Sequence, residues 1–118
     1  MHNRKGRDGM KKVYICASFG SDPTESLDRA KRYTEFALRN GAAPVVPHLY
    51  GLYQEKAYAD ACAAAGQSLL WLCDELWIIG DEITEEMRRN IQFCKHLNIH
   101  TRKVTEKEIA KLIGGNAK

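Results

Sequence analysis

The chain has 118 residues, which is enough for one packed domain and too few for two. Its net charge is +3, and the positive excess lies largely in the first twelve residues, MHNRKGRDGMKK. The remainder is near neutral, which argues against nucleic acid as the main partner. No apolar run is long enough to cross a bilayer and the leader lacks an apolar centre, so we expect a cytoplasmic protein without membrane contact.

Short β-rich runs alternate with longer helical patterns along the chain. We predict a flexible basic tail over residues 1–11, a single α/β domain over 12–113 and a frayed tail over 114–118. Strands are predicted at 13–16, 43–47, 74–80 and 99–104, and helices at about 23–40, 55–72, 84–97 and 105–113. The first helix is the best marked, because Asp22 can cap it, Pro23 suits its first position and Asn40-Gly41 can end it.

This alternation predicts a doubly wound parallel sheet with helices on both faces, joined by right-handed crossovers. We expect four to five strands in the order 2-1-3-4. Such sheets bind ligands beyond the carboxyl ends of their strands, at the switch point between the first and third strands. Three loops meet there, at residues 17–22, 47–53 and 80–86.

The first loop, CASFGSD, places Ser18, Gly20 and Ser21 before a helix N-terminus. Free backbone N–H groups and the helix dipole at such a position favour an anion, usually phosphate. The loop matches no dinucleotide or P-loop signature, so from the motif alone a tight turn capped by Asp22 is the favoured interpretation.

The second and third loops carry candidate polar groups. His48 lies between Pro47 and Tyr50, where it could bind a sugar or stack with a base, or could simply lie at the surface. Thr84 is a predicted N-cap, and Glu86 lies in the first turn behind it. An acid there is expected from the helix dipole alone, although it could also attack a sugar carbon or hold a ribose hydroxyl.

Neither the cysteines nor the histidines show metal-ligand spacing. Cys16, Cys62, Cys73 and Cys94 form no CxxC pair, and three of them lie in apolar patterns where cysteine acts as a small hydrophobic residue. We therefore expect reduced cysteines, no metal and no cofactor.

The segments VYICASFG, GAAPVVPHLY, CDELWIIGDEITEEM and HLNI, in this order, resemble a small family of bacterial and phage proteins labelled DUF4406 or DUF7768. That family is related to nucleoside 2-deoxyribosyltransferases and resembles 2′-deoxynucleoside 5′-monophosphate N-glycosidases. The similarity covers residues 12–103. It implies a flavodoxin-like or Rossmann-like sheet, a small nucleoside or nucleotide as ligand, and a homo-oligomer.

The resemblance also implies roles for particular residues. The loop after the first strand would hold the sugar or its 5′-phosphate, which corresponds to Ala17, Ser18, Phe19 and Gly20. A histidine after the second strand corresponds to His48, and a tyrosine near the substrate corresponds to Tyr14. The loop that begins at Gly80 should carry a Ser-x-Gly-x-x-x-Glu motif, whose glutamate attacks C1′ of the deoxyribose and forms a glycosyl-enzyme.

This chain departs from that motif at every defined position. Thr84 replaces the serine, Glu86 replaces the glycine and Asn90 replaces the nucleophilic glutamate. A neutral amide cannot act as the nucleophile, but Glu86 lies one helical turn away. Three hypotheses follow: an N-glycosidase or deoxyribosyltransferase that uses Glu86, a protein that binds a nucleotide or NAD-derived molecule without cleaving it, and a structural or interaction protein.

Overall fold

The computed structural model describes residues 10–19, 22–47 and 56–114, without the side chains of residues 56–60 and 63. Strands and helices alternate through these residues: β1 Lys11–Ala17, α1 Pro23–Arg39, β2 Ala42–Val45, α2 Lys56–Trp71, β3 Glu75–Ile79, α3 Glu85–Leu97, β4 His100–Val104 and α4 Glu106–Ile113. Nothing among the described helices combines the length and the apolar character needed to cross a membrane. The predicted tails lie mostly outside the described residues, although β1 begins at Lys11, within the predicted leader.

The four strands form one parallel sheet in the order β2-β1-β3-β4. This confirms the predicted doubly wound α/β arrangement and its strand order. Tyr14 pairs with Val45 on one side and with Leu76 on the other, so β1 is interior to the sheet. The carboxyl ends of β1 and β3 lie side by side, with Ala17 opposite Ile79.

Local capping signals explain where three of the helices begin. The Asp22 carboxylate accepts a hydrogen bond of 3.0 Å from the backbone of Thr24, and Pro23 occupies the first position of α1. Thr84 caps α3, and Thr105 caps α4 by accepting from the backbone of Glu108 at 3.0 Å. Each cap satisfies a backbone N–H that the helix leaves without a partner.

The sheet separates two apolar cores, because successive side chains of a strand point to opposite faces. One core lies between the sheet and helices α1 and α4; its buried members are Val13, Ile15, Tyr33, Phe36, Ala37, Ala42, Trp77, Ile79, Val104 and Ile109. The other lies between the sheet and helices α2 and α3; its buried members are Tyr14, Cys16, Leu70, Cys73, Leu76, Met87 and Cys94.

Polar contacts tie the amino ends of β1 and β3 together. The backbone N–H of Lys12 donates to the Asp74 carboxylate at 2.8 Å, and the N–H of Asp74 donates to the Lys12 carbonyl at 2.8 Å. The Glu75 carboxylate accepts from Lys11 Nζ at 2.6 Å and from Trp77 Nε1 at 2.8 Å. These contacts lie at the opposite end of the sheet from the carboxyl ends of the strands, which is where doubly wound folds bind their ligands.

Candidate active site

Tyr14 and Cys16 place polar atoms on the α2/α3 side of β1. They lie two residues apart on the strand and therefore share a face, and both are buried. Helix α2 crosses above Tyr14 at Gly66, where an added Cβ would come within 3.3 Å of the tyrosine hydroxyl. A glycine at this point allows the helix to approach the hydroxyl closely.

Helix α3 directs a second set of groups towards the same strand. Its N-cap fixes its start: Thr84 Oγ1 accepts from the backbone of Met87 at 3.2 Å, and the backbone of Thr84 donates to Met87 Sδ at 3.5 Å. Glu86, Asn90 and Cys94 then follow at intervals of four residues, which places them on one side of the helix. We call these three residues the α3 column.

The α3 column runs from solvent into the core. Glu86 is exposed, Asn90 is half-buried and Cys94 is fully buried. The Asn90 amide lies close enough to the Cys16 thiol to lower its pKa. The Asn90 amide therefore lies beside β1, between the Glu86 carboxylate at the surface and the Cys94 thiol in the core.

The pKa shifts of Tyr14 and Cys16 indicate that the α3 column lies beside β1. Burial raises the pKa of Cys16 to about 12; Cys94 and the negative charge of Glu86 add to the increase, while the Asn90 amide opposes it. Burial also raises the pKa of Tyr14, and the charge of Glu86 contributes again. A charge influences the titration of both β1 residues only when it lies near them. The Glu86 carboxylate therefore belongs to this cluster.

Residues 11–104 match a family described as a domain of unknown function, DUF7768. The chain belongs to the DUF7768 family. A search of the curated proteins found no match. Among solved structures, the chain is similar to a 2-deoxyribosyltransferase from the psychrotolerant bacterium Bacillus psychrosaccharolyticus, with a TM-score of 0.65 and 13% identity over 80% of this chain and 72% of that one. At that identity the likeness shows a shared fold, one that handles nucleosides in the transferase.

The DUF7768 chain gathers only some of the residues predicted from the sequence. Tyr14, Glu86 and Asn90 lie together on the α2/α3 side of the sheet. Thr84 lies at the N-terminus of α3, where its hydroxyl caps the helix. Gly80 follows β3 with a φ of +91°, a left-handed conformation that glycine adopts readily, and its N–H donates to the Val104 carbonyl at 3.2 Å.

The described part of the first loop turns towards the other face. Ala17 and Phe19 pack against the α1/α4 core, and the Phe19 ring lies 5.9 Å from that of Tyr33. The Ser18 carbonyl accepts from Arg29 Nη1 at 2.8 Å, and the Phe19 carbonyl accepts from Ser26 Oγ at 2.9 Å. These three residues are therefore not gathered with Tyr14. Two other predicted residues, Gly20 and His48, lie outside the described residues.

Three members of the site were not predicted as functional residues: Cys16, Gly66 and Cys94. The signal for Cys16 was available, since a residue two positions after Tyr14 on a strand must face the same way. Gly66 gave no usable signal, because a helical glycine contacts a neighbour only through tertiary packing. Where residues are described, no cluster of three or more His, Cys, Asp or Glu side chains could hold a metal ion.

Proposed function

We propose that this DUF7768 protein binds 2′-deoxynucleosides or their 5′-monophosphates at the α2/α3 side of β1 and β3, and cleaves their N-glycosidic bond with Glu86 as the working carboxylate. The observation that carries the proposal is the convergence of Glu86 and Asn90 on Tyr14 and Cys16. Glycosyl chemistry requires a carboxylate beside the bound sugar, and Glu86 is the carboxylate of this cluster. The shared fold with a 2-deoxyribosyltransferase supports the substrate class.

The charges at the start of α1 favour a substrate with a free 5′-hydroxyl. Asp22 already caps this helix, and Glu25 lies in its first turn. Two carboxylates at a helix N-terminus repel the phosphate that the helix dipole would otherwise attract. Arg29, the nearest described cation on this helix, donates to the Ser18 carbonyl. We therefore expect deoxynucleosides to be better substrates than their monophosphates.

The test is release of free base, measured by chromatography, from the four common deoxynucleosides and from their 5′-monophosphates. Glu86→Gln should lower the rate by at least about 100-fold, the typical contribution of one positioned acid–base or nucleophilic group. Glu85→Gln is the matched control, since it removes a neighbouring exposed acid from the same helical turn. An equal effect of both substitutions, or no release from any compound, would refute the proposal.

A second candidate is binding without cleavage. Asn90 favours it, because a neutral amide stands where the related enzymes are expected to carry their nucleophile. Under this alternative a nucleoside, nucleotide or NAD-derived molecule raises the melting temperature while no base is released. Asn90→Leu should then abolish the shift, because it removes the polar contact. The control is Gln92→Leu, an exposed change on the same helix, and an equal loss of the shift in both variants would contradict a local site.

We also propose that the chain forms a homo-oligomer through α2. Residues 61–73 contain no charged side chain, and at their end Trp71 and Leu72 are 60% and 54% exposed. An uncharged face can meet its own copy across a two-fold axis without repulsion, and tryptophan is a frequent anchor of such contacts. Trp71→Lys should lower the mass measured by light scattering, whereas Leu112→Lys on α4 should not. Equal masses for the parent and both variants would contradict the proposal.

A further inference from the structure

Among the described residues, the inner part of the candidate site holds no group suited to attack a sugar carbon, since burial also raises the pKa of the Tyr14 hydroxyl. Asn90 is an uncharged amide, and burial keeps the Cys16 thiol protonated, with a pKa of about 12. Cys94 is fully buried, and burial raises its pKa to about 11. Thiols with such pKa values are poor nucleophiles near neutral pH, because the thiolate is the reactive form. With none of these groups as the nucleophile, the bond to C1′ would come from a group that enters the site.

The carboxylate of the α3 column lies at its solvent end. Glu86 precedes Asn90 by four residues, which corresponds to about 6 Å along the helix axis. Glycosidases that attack through a carboxylate hold that group against the sugar carbon, whereas those that use water keep it farther away to leave room for the water. For a sugar seated against the half-buried Asn90, the exposed Glu86 one turn farther out would match the second arrangement.

We propose that Glu86 acts as a general base on water and that the reaction is a single displacement. This inference rests on the function proposed above. The water oxygen forms a bond to C1′ as the C1′–N bond breaks, and its proton passes to Glu86. The electron pair of the broken bond leaves with the base, which takes a proton from solvent. The products are a free base and a 2-deoxyribose of inverted configuration.

Asn90 is the positioning residue in this scheme. The side chain is half-buried on the face of α3 that meets Cys16, so that the amide can orient the incoming water towards C1′. With no glycosyl-enzyme formed, the sugar is never held for a second base. The structure thus assigns the chain to hydrolysis, without transfer of the sugar between bases.

The experiment is base exchange with the full chain. Each common deoxynucleoside is incubated with its own ¹⁵N-labelled free base, and mass spectrometry follows both base release and label in the remaining nucleoside. We expect free base to be released while no label enters the remaining nucleoside. If label enters the nucleoside at a rate similar to that of base release, the single displacement is wrong. The proposed glycosidase function would still stand. Absence of any release would overturn both, so the two failures are distinguishable.

Two further measurements use the same substrates. In dilute methanol, a single displacement on a β-nucleoside gives the α-methyl deoxyriboside, and recovery of the β-anomer would overturn the proposal. Asn90→Glu places a carboxylate at the inner position and should introduce base exchange that the parent chain lacks. If this variant melts like the parent and shows no exchange, the inner position is wrongly assigned. A purely structural Asn90 would not produce exchange in either protein.

Discussion

Replacing Glu75 by glutamine should reveal how strongly the sheet depends on one half-buried ion pair. Glu75 accepts hydrogen bonds from Lys11 at 2.6 Å and from Trp77 at 2.8 Å. The Glu75 side chain is 16% exposed and that of Lys11 is 34% exposed, so water screens the pair only in part. Glutamine keeps an acceptor for Trp77 but removes the charge that attracts Lys11.

The expected loss is about 1–2 kcal/mol in the free energy of unfolding. Hydrogen bonds to charged groups contribute roughly 1.5–3 kcal/mol, and the partial exposure of Lys11 reduces that figure. For a domain of this size the melting temperature should fall by about 4–8 °C. Glu35→Gln is the matched control: its partner Arg39 lies 2.9 Å away, but both side chains are about half exposed, so its loss should stay below about 0.5 kcal/mol.

The effect of Glu75→Gln should depend on pH. Burial alone would raise the pKa of Glu75, but the hydrogen bonds from Lys11 and Trp77 and the nearby charge of His100 bring it below its ordinary value of 4.5. A lowered pKa means that the contribution is complete above the unfolded value and is lost as the pH falls through the folded value. Urea titrations at pH 7 and pH 3 measure this difference. A loss as small as that of Glu35→Gln, or equal losses at both pH values, would refute the reasoning.

Three other predictions test the packing around the candidate site. Thr84→Val removes the cap of α3 and should cost about 1 kcal/mol of unfolding free energy in urea; no change would contradict the capping role. In the native protein, a thiol reagent should modify Cys62 first and Cys16 slowly, because burial raises the pKa of Cys16 to about 12, whereas all four thiols should react together after unfolding. Leu70→Ala should cost about 2–5 kcal/mol because Leu70 is fully buried, and the exposed Leu72→Ala much less; equal losses would contradict the burial argument.

The element order and the strand order could be predicted from the sequence because the local signals agree with one another. Asp22 and Pro23 mark the start of α1, and the Asn40-Gly41 pair follows its last residue. Such caps act over a few residues, so they can be recognised without tertiary information. The β2-β1-β3-β4 order is the simplest doubly wound arrangement of four strands that alternate with helices, and the structure has it.

The composition of the candidate site was harder to predict because it depends on packing between elements. The sequence around Phe19 does not indicate that its ring packs against Tyr33 and lies away from Tyr14. The second half of the α3 cap is a thioether, Met87 Sδ, where a carboxylate or amide is usual. The exposure of Glu86 and the half-buried position of Asn90 beside β1 follow from the rotation of α3 about its axis, which the sequence pattern fixes only coarsely.

The two cores differ in what their residues contribute to the molecule. The side of the sheet that faces α1 and α4 holds the largest buried ring among the described residues, Trp77, with Arg102 4.7 Å above it and Phe36 at its edge. The reactive groups that we assign lie on the opposite side. Stabilising substitutions introduced beneath α1 and α4 could therefore accumulate without altering ligand preference, and a library aimed at new substrates could be restricted to the residues beneath α2 and α3.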